Sequence, residues 1–426
     1  MPCHSLTVVK LTEELPVLDS VLPESFDAHV FLRDYWQKKP LLIKAGGVSF
    51  LDLIEPEELA GLACEDGVES RLVQVNAAQD TWTLRHGPFT EEDFLTLPES
   101  HYSLLVQAVD QWVDDVAALL ADFAFIPSWR IDDVMISYAT DQGNVGPHFD
   151  YYDVFLIQGM GQKRWQIGDI CNSMTERSDS SGLRLLKNFV AREEWIVNPG
   201  DILYIPPGYS HYGVAIGNSM TYSVGFRAPA HADILSGVLD DALDSLSEDR
   251  RFSDAIARLP QHPGEITADV VEHLQDIIRE QMLDAQRIRQ WFGRTMTTPR
   301  YPLQDDAADH APHEHGEDCD HDHDDEEEQL LIESVVDLQK AVNKGAGVYK
   351  VPGARIAYAL AEGKAELYAD GECHMCDSRL LSLLQALSTS GKVDEIDRVV
   401  IAAAIKDDEA SALLLSLYDG GSLVVG

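Results

Sequence analysis

The stretch Gly146-Pro147-His148-Phe149-Asp150 places an imidazole and a carboxylate two residues apart. In extended backbone, side chains alternate between faces, so His148 and Asp150 project together and can grip one metal ion. A third donor follows later in the chain. Asn198-Pro199-Gly200-Asp201 suits a type II turn, with proline at its second position and glycine at its third. The turn launches the apolar strand Ile202-Leu203-Tyr204-Ile205-Pro206, and His211 comes shortly after it. Two imidazoles and a carboxylate on one face of an octahedron leave three positions open, the donor set of non-haem Fe(II) centres that activate O2. With a 2-oxoacid on two open positions and O2 on the third, such a centre oxidises unactivated C–H bonds. A His-x-Asp pair alone is common by chance. The turn, the strand and the second histidine together point to a metal-bearing barrel, an outline that cupins holding other metals share.

Lys163, in Gly161-Gln162-Lys163-Arg164-Trp165, lies on the next predicted strand after the first two donors. Strand alternation puts Lys163 and Trp165 on one face and Arg164 on the other. If that face is the barrel interior, Lys163 supplies the buried cation that the distal carboxylate of 2-oxoglutarate requires, because an unpaired carboxylate in a closed site is costly. Read instead as an edge residue, it is a surface lysine.

These residues need elements to position them. Short β-like runs at 134–139, 152–159, 164–168, 202–206 and 221–227, separated by glycine, proline and asparagine, predict an all-β barrel or sandwich. Before it, residues 25–65 read as helical or mixed, with Phe31, Leu32, Tyr35 and Trp36 on helical spacing up to Pro40. The stretch 101–122, with Leu104, Leu105, Val109, Trp112, Val116 and Leu119, predicts a helix buried on one side. After Pro229 two amphipathic helices are expected, at 234–246 and 270–292, of a kind that serves a partner or a second subunit. Residues 305–328 hold no lysine or arginine and read as a disordered acidic linker. Within it the His/Asp-rich tract 309–325, including His310, His313, His315, His321 and His323, could bind transition metals loosely. From 330 a helix at 334–343, short strands within 348–358 and at 365–369, and two further helices fit a compact winged-helix-like module.

Composition narrows the classes further. The 426 residues exceed a comfortable single core, so two or three domains are expected. No apolar run approaches the roughly 20 residues of a membrane span, and the first twenty residues lack a secretory pattern, so a soluble, cytoplasmic protein is the expectation. The formal net charge of −41 opposes a phosphate-binding surface, the winged-helix-like module included, and favours a basic protein partner over nucleic acid. Six scattered cysteines do not form a secreted disulfide framework. Cys373 and Cys376 have redox or zinc spacing, but only His374 is in sight as a further ligand, so no role is assigned to them.

With these residues in hand, the chain resembles the JmjC oxygenases, and specifically the bacterial ribosomal oxygenases that hydroxylate an arginine of the large-subunit ribosomal protein L-sixteen. The likeness runs from Tyr35-Trp36-Gln37-Lys38-Lys39-Pro40 through Leu104-Leu105-Val106-Gln107-Ala108-Val109 and Trp129-Arg130-Ile131-Asp132-Asp133. It continues through Gly146 to Asp150, Asp201 to Gly208 and Tyr222-Ser223-Val224-Gly225-Phe226-Arg227. It implies an α+β chain: an N-terminal tail at 1–24, a double-stranded β-helix (JmjC/cupin-like barrel) with a helical N-terminal part at 25–229, and a helical dimerisation region at 230–300. A C-terminal winged-helix domain at 330–426 completes it, joined by the linker at 301–329, whose His/Asp-rich tract departs from the family. It implies iron on His148, Asp150 and His211, with 2-oxoglutarate and O2 as co-substrates, and it adds Ser137 as a second 2-oxoglutarate contact beside Lys163. Some relatives carry arginine where this chain has Lys163, exchanging a forked donor for a point charge. An arginine substrate needs a carboxylate and an aromatic face, and Asp133, Tyr152 and Ser223 are the candidates. Asp133 is expected just before the first barrel strand, and Tyr152 on the same face as Asp150. Their plain alternatives are a turn cap, a core ring and a strand hydroxyl.

Other classes use the same donors. A cupin isomerase or small-molecule dioxygenase would lack the carboxylate-binding cation, so Lys163 discriminates. A demethylase within the JmjC class shares the chemistry, and a non-catalytic scaffold would not need an intact triad.

Overall fold

The computed structural model describes residues 20–45, 53–79, 81–178, 182–253, 262–301, 332–361, 363–389 and 395–426. The His/Asp-rich tract and most of the N-terminal tail fall outside these. In chain order the first part contains α1 (Ala28–Asp34), β1 (Leu41–Ile43), α2 (Pro56–Leu62), β2 (Ser70–Asn76), β3 (Thr81–His86), α3 (Glu91–Leu95), β4 (Tyr102–Val106) and α4 (Asp114–Ala118). The barrel region holds β5 (Ile131–Ala139), β6 (Asp153–Gln158), β7 (Gln162–Ile170), β10 (Glu193–Val197), β11 (Ile202–Ile205), β12 (Tyr209–Ile216) and β13 (Ser219–Phe226), with β8 (Arg177–Ser178) and β9 (Leu185–Leu186) pairing separately as a two-stranded ribbon. Three helices follow: α5 (His231–Asp244), α6 (Ala268–Met282) and α7 (Ala285–Thr297). The C-terminal unit comprises α8 (Val335–Asn343), β14 (Val348–Lys350), β15 (Ile356–Ala361), β16 (Lys364–Ala369), β17 (Glu372–Asp377), α9 (Leu381–Leu387), α10 (Arg398–Ala404), α11 (Asp408–Asp419) and β18 (Leu423–Val425).

Two sheets make the barrel. The larger runs β1-β11-β6-β13-β5-β4-β2-β3 and the smaller β10-β7-β12. Alternation along β6 shows how one strand serves two cores. Phe155 and Ile157 enter the outer core with Phe31, Leu59, Val116 and Phe123, while Val154 and Leu156 join Trp165, Ile167 and Leu203 between the sheets. Each such large side chain contributes roughly 1.5–3 kcal/mol by leaving water. The predicted turn before β11 is present: Gly200 has φ 85° and the Asp201 N–H donates to Asn198 O at 2.9 Å.

Three expectations need correction. The stretch 101–122 is not one helix but β4, short 3-10 turns and α4. β4 lies between β2 and β5, so Leu104, Leu105 and Val106 are buried on both of its faces and mimic a helical apolar stripe. The helix expected at 270–292 breaks at Leu283, because the Asp284 carboxylate caps a new helix by accepting from Arg287 N at 2.7 Å. The C-terminal unit holds three later helices rather than two, and β17 and β18 were not foreseen. Helix α7 fastens this unit to the rest. Gly293 lies where a Cβ would stand 2.4 Å from the Tyr368 ring, and Arg289 forms a 2.6 Å ion pair with buried Glu366.

Candidate metal and co-substrate site

His148 and Asp150 sit on the turn leading into β6 rather than on a continuous strand, and a single antiparallel bridge joins His148 to His211 on β12. That bridge, with N–H to carbonyl distances of 3.1 and 2.8 Å, brings donors far apart in sequence to one point. The three donor atoms lie within 4.8 Å of one another. His148 Nε2 and His211 Nε2 are 3.1 Å apart, and Asp150 Oδ2 stands 3.8 and 3.5 Å from them. Each ring turns its Nδ1 to a backbone carbonyl, His148 to Gly146 O at 2.9 Å and His211 to Tyr209 O at 3.0 Å. Such anchoring fixes the tautomer and leaves Nε2 as the donor. Burial, reinforced by neighbouring His148, pushes the His211 imidazole down to about 4, so it is held neutral as a metal ligand must be. No fourth His, Cys, Asp or Glu joins the group among the described residues, which fits an ion with open positions. Cys373 and Cys376 on β17 belong to no such group among the described residues.

The triad opens on a cavity of about 540 Å³ between the two sheets. Lys163 on β7 is 8 % exposed and lines it, as predicted from alternation. Its ammonium lies 5.1 Å from the Trp165 ring centre and has no carboxylate partner among the described residues. Burial pushes it down to about 8. A buried, unpaired cation facing a cavity beside a metal triad fits the distal carboxylate of 2-oxoglutarate. Ser137 on β5, also buried, lines the same space, as does Thr221 opposite it on β13.

Asp133, Tyr152 and Ser223 line the cavity too. Asp133 lies inside β5, not before it. Its Oδ2 accepts from Gln107 Nε2 at 2.8 Å and Ala108 N at 2.9 Å, leaving Oδ1 without a donor among the described residues. Burial and adjacent Asp132 raise its carboxyl to about 6. Tyr152, 43 % exposed, stands at the rim, and Ser223 is buried on β13. Sequence reasoning missed Met135 and Thr221, although alternation from Asp133, Ser137 and Ser223 would have found both. Arg300, which reaches the cavity from beyond α7, carries no local signal.

Comparison with known proteins defines the class. The JmjC domain family matches residues 118–234 and the ROXA-like winged helix matches 272–424, the latter beginning inside α6. The ribosomal protein uL16 3-hydroxylase of Escherichia coli is 36% identical over 92% of this chain and 95% of its own length. A probable ribosomal oxygenase of Haemophilus influenzae is 42% identical over 53% of this chain and 55% of its own. A structure of the Escherichia coli ribosomal oxygenase in complex with cobalt and 2-oxoglutarate is similar at TM-score 0.76 and 34% identity, covering 94% of this chain and 98% of that one. The chain belongs to the JmjC-type ribosomal oxygenases. It is an Fe(II)- and 2-oxoglutarate-dependent dioxygenase with a cupin-like barrel and a C-terminal winged helix.

Proposed function

We propose that this enzyme hydroxylates an arginine side chain of the large-subunit ribosomal protein corresponding to uL16. The observation that carries the reading is one cavity in which Lys163, an unpaired cation, and Asp133, a carboxylate with one unused oxygen, flank the triad. In this reading His148, Asp150 and His211 hold the iron, which with 2-oxoglutarate and O2 supplies the oxidant for a C–H bond. Lys163 and Ser137 bind the 2-oxoglutarate carboxylate farthest from the metal. Asp133 takes the substrate guanidinium, the Tyr152 ring flanks it, and the Ser223 hydroxyl fixes its orientation. The net charge of −41 assists the encounter with a basic protein and disfavours nucleic acid. Such a substrate is made in the cytoplasm, where we place the enzyme.

The test is incubation with Fe(II), 2-oxoglutarate, O2 and ribosomal-protein peptides. A one-oxygen mass gain on arginine that disappears in His148→Ala supports the assignment. Succinate formation without peptide modification would remove the substrate and leave the reaction class.

We further propose that the 230–300 region pairs two copies of the chain. Leu235, Leu239 and Leu243 form an exposed stripe on α5, and Leu274, Ile277 and Ile278 do so on α6. Leu239→Glu combined with Leu274→Glu is expected to yield monomers in sedimentation experiments; an unchanged mass would exclude this face.

A further inference from the structure

Strand β5 does not pair evenly with β13. Ile131 stands opposite Phe226 and Val134 opposite Val224, so Asp132 and Asp133 together face Gly225. Two residues opposing one make a β-bulge, which re-aims side chains locally. Its effect is visible in what each residue touches. Ile131 enters the outer core with Val134 and Ile136, whereas simple alternation would send it to the same side as Asp133. Asp133 stays in phase with Met135 and Ser137 and faces the catalytic cavity, so the backbone that departs from the regular strand is the stretch immediately before it.

A bulge leaves ladder groups without strand partners, and side chains from elsewhere supply them here. The Val134 N–H donates to Asp110 Oδ1 at 2.8 Å. The guanidinium of Arg355, immediately before β15 in the C-terminal unit, donates to Ile131 O and, at 2.9 Å, to Asp132 O. Its Nε donates to Met296 O in α7 at 3.3 Å, and its own backbone N–H is held by Asp370 Oδ1 at 2.7 Å. The Asp132 side chain is fixed as well, accepting from Arg227 Nε and Arg300 Nη1 at 2.9 Å each. A charged donor that places two of its bonds on carbonyls of another domain's bulge defines a backbone shape as well as an attachment.

We propose that Arg355 is a positioning residue for substrate recognition: by holding the β5 bulge, the winged-helix domain fixes the backbone on which Asp133 stands and with it the affinity for a cationic side chain. The inference rests on the proposed role of Asp133 as counter-ion to the substrate. A purely adhesive role for Arg355 would affect stability and every ligand alike.

A double-mutant cycle in the full chain separates the two. Arg355→Met, Arg355→Lys, Asp133→Ala and the combinations are compared for peptide KM and kcat, for 2-oxoglutarate KM in peptide-free turnover, and for Tm. Arg355→Met is expected to raise the KM of a basic arginine-containing peptide about tenfold or more, since small misplacements of a binding group are expensive. The 2-oxoglutarate KM stays within about twofold, Arg355→Lys recovers part of the loss, and Arg355→Met adds nothing once Asp133 is alanine. An effect that persists in full on the Asp133→Ala background, or that weakens 2-oxoglutarate equally, overturns the proposal. So does an unchanged peptide KM while Asp133→Ala raises it. If Asp133→Ala itself leaves peptide KM unaltered, the counter-ion reading fails and the inference falls with it. Should Arg355→Met not fold, the same cycle run with Arg355→Lys decides, because an ammonium cannot reproduce the three-carbonyl geometry.

Discussion

The two ends of the catalytic cavity are built from different sheets and carry opposite charges. At one end Lys163 is a desolvated cation with no carboxylate partner among the described residues, on the central strand of the smaller sheet. At the other end, on a strand of the larger sheet, Asp133 is an equally buried carboxylate half satisfied by Gln107 and Ala108. Leaving either charge incompletely paired costs stability, and both costs are recovered only when ligands of opposite sign arrive. On the proposed reading, the difference makes the two ends separate recognition sites, one for a dicarboxylate and one for a cation, with the metal triad between them in function.

That comparison can be broken at either end. The largest effect is expected at the shared centre: His148→Ala should abolish both succinate formation and peptide hydroxylation, because a two-donor site no longer holds the ion. Residual coupled turnover would refute the triad. Next, Lys163→Ala should raise the 2-oxoglutarate KM by about a hundredfold or more, from the ~3–5 kcal/mol cost of leaving a buried charge unpaired. Peptide binding measured separately should change little; an equal loss for both ligands would merge the two ends. Asp133→Asn should raise peptide KM about tenfold to a hundredfold, matching ~1.5–3 kcal/mol for a charged hydrogen bond, with 2-oxoglutarate unaffected.

Smaller effects follow from pH, and they run in opposite directions. The Lys163 cation exists below its shifted value of about 8, so the 2-oxoglutarate KM should rise as pH climbs through that range. Lys163→Arg should flatten the rise, since arginine stays charged. Asp133 is ionised only above about 6, so peptide binding should weaken as pH falls through that value. A profile in which both ligands weaken together at one pH would point to a common group instead. The smallest expected change is at Gly213, where a Cβ would come within 2.7 Å of the Trp165 ring. Gly213→Ala should lower Tm through about 1–3 kcal/mol of overpacking.

The two ends also differ in how readable they were. His148, Asp150 and His211 were legible from residue type and spacing, although His148 and Asp150 share a face on the turn before β6 rather than on a strand, and Lys163 because it shares a face with Trp165. Ser137 came from the resemblance alone, and Asp133, Tyr152 and Ser223 from the resemblance together with the side-chain chemistry that an arginine substrate needs. The helix expected at 101–122 failed because a strand buried on both faces loses the period of two that identifies it. The break between α6 and α7 depends on one capping carboxylate, Asp284, within an otherwise continuous apolar pattern.

By itself, then, the sequence determined the donor types, the turn that launches β11, the cation on β7 and the acidity of the surface, since each is a property of neighbouring residues. Only the tertiary structure decided that Asp133 points inward from a bulge, that Arg300 reaches the cavity from beyond α7, and that Arg355 of the winged helix clasps β5. Those contacts join residues brought together by sheet register and domain packing, and no short-range pattern in the chain encodes them.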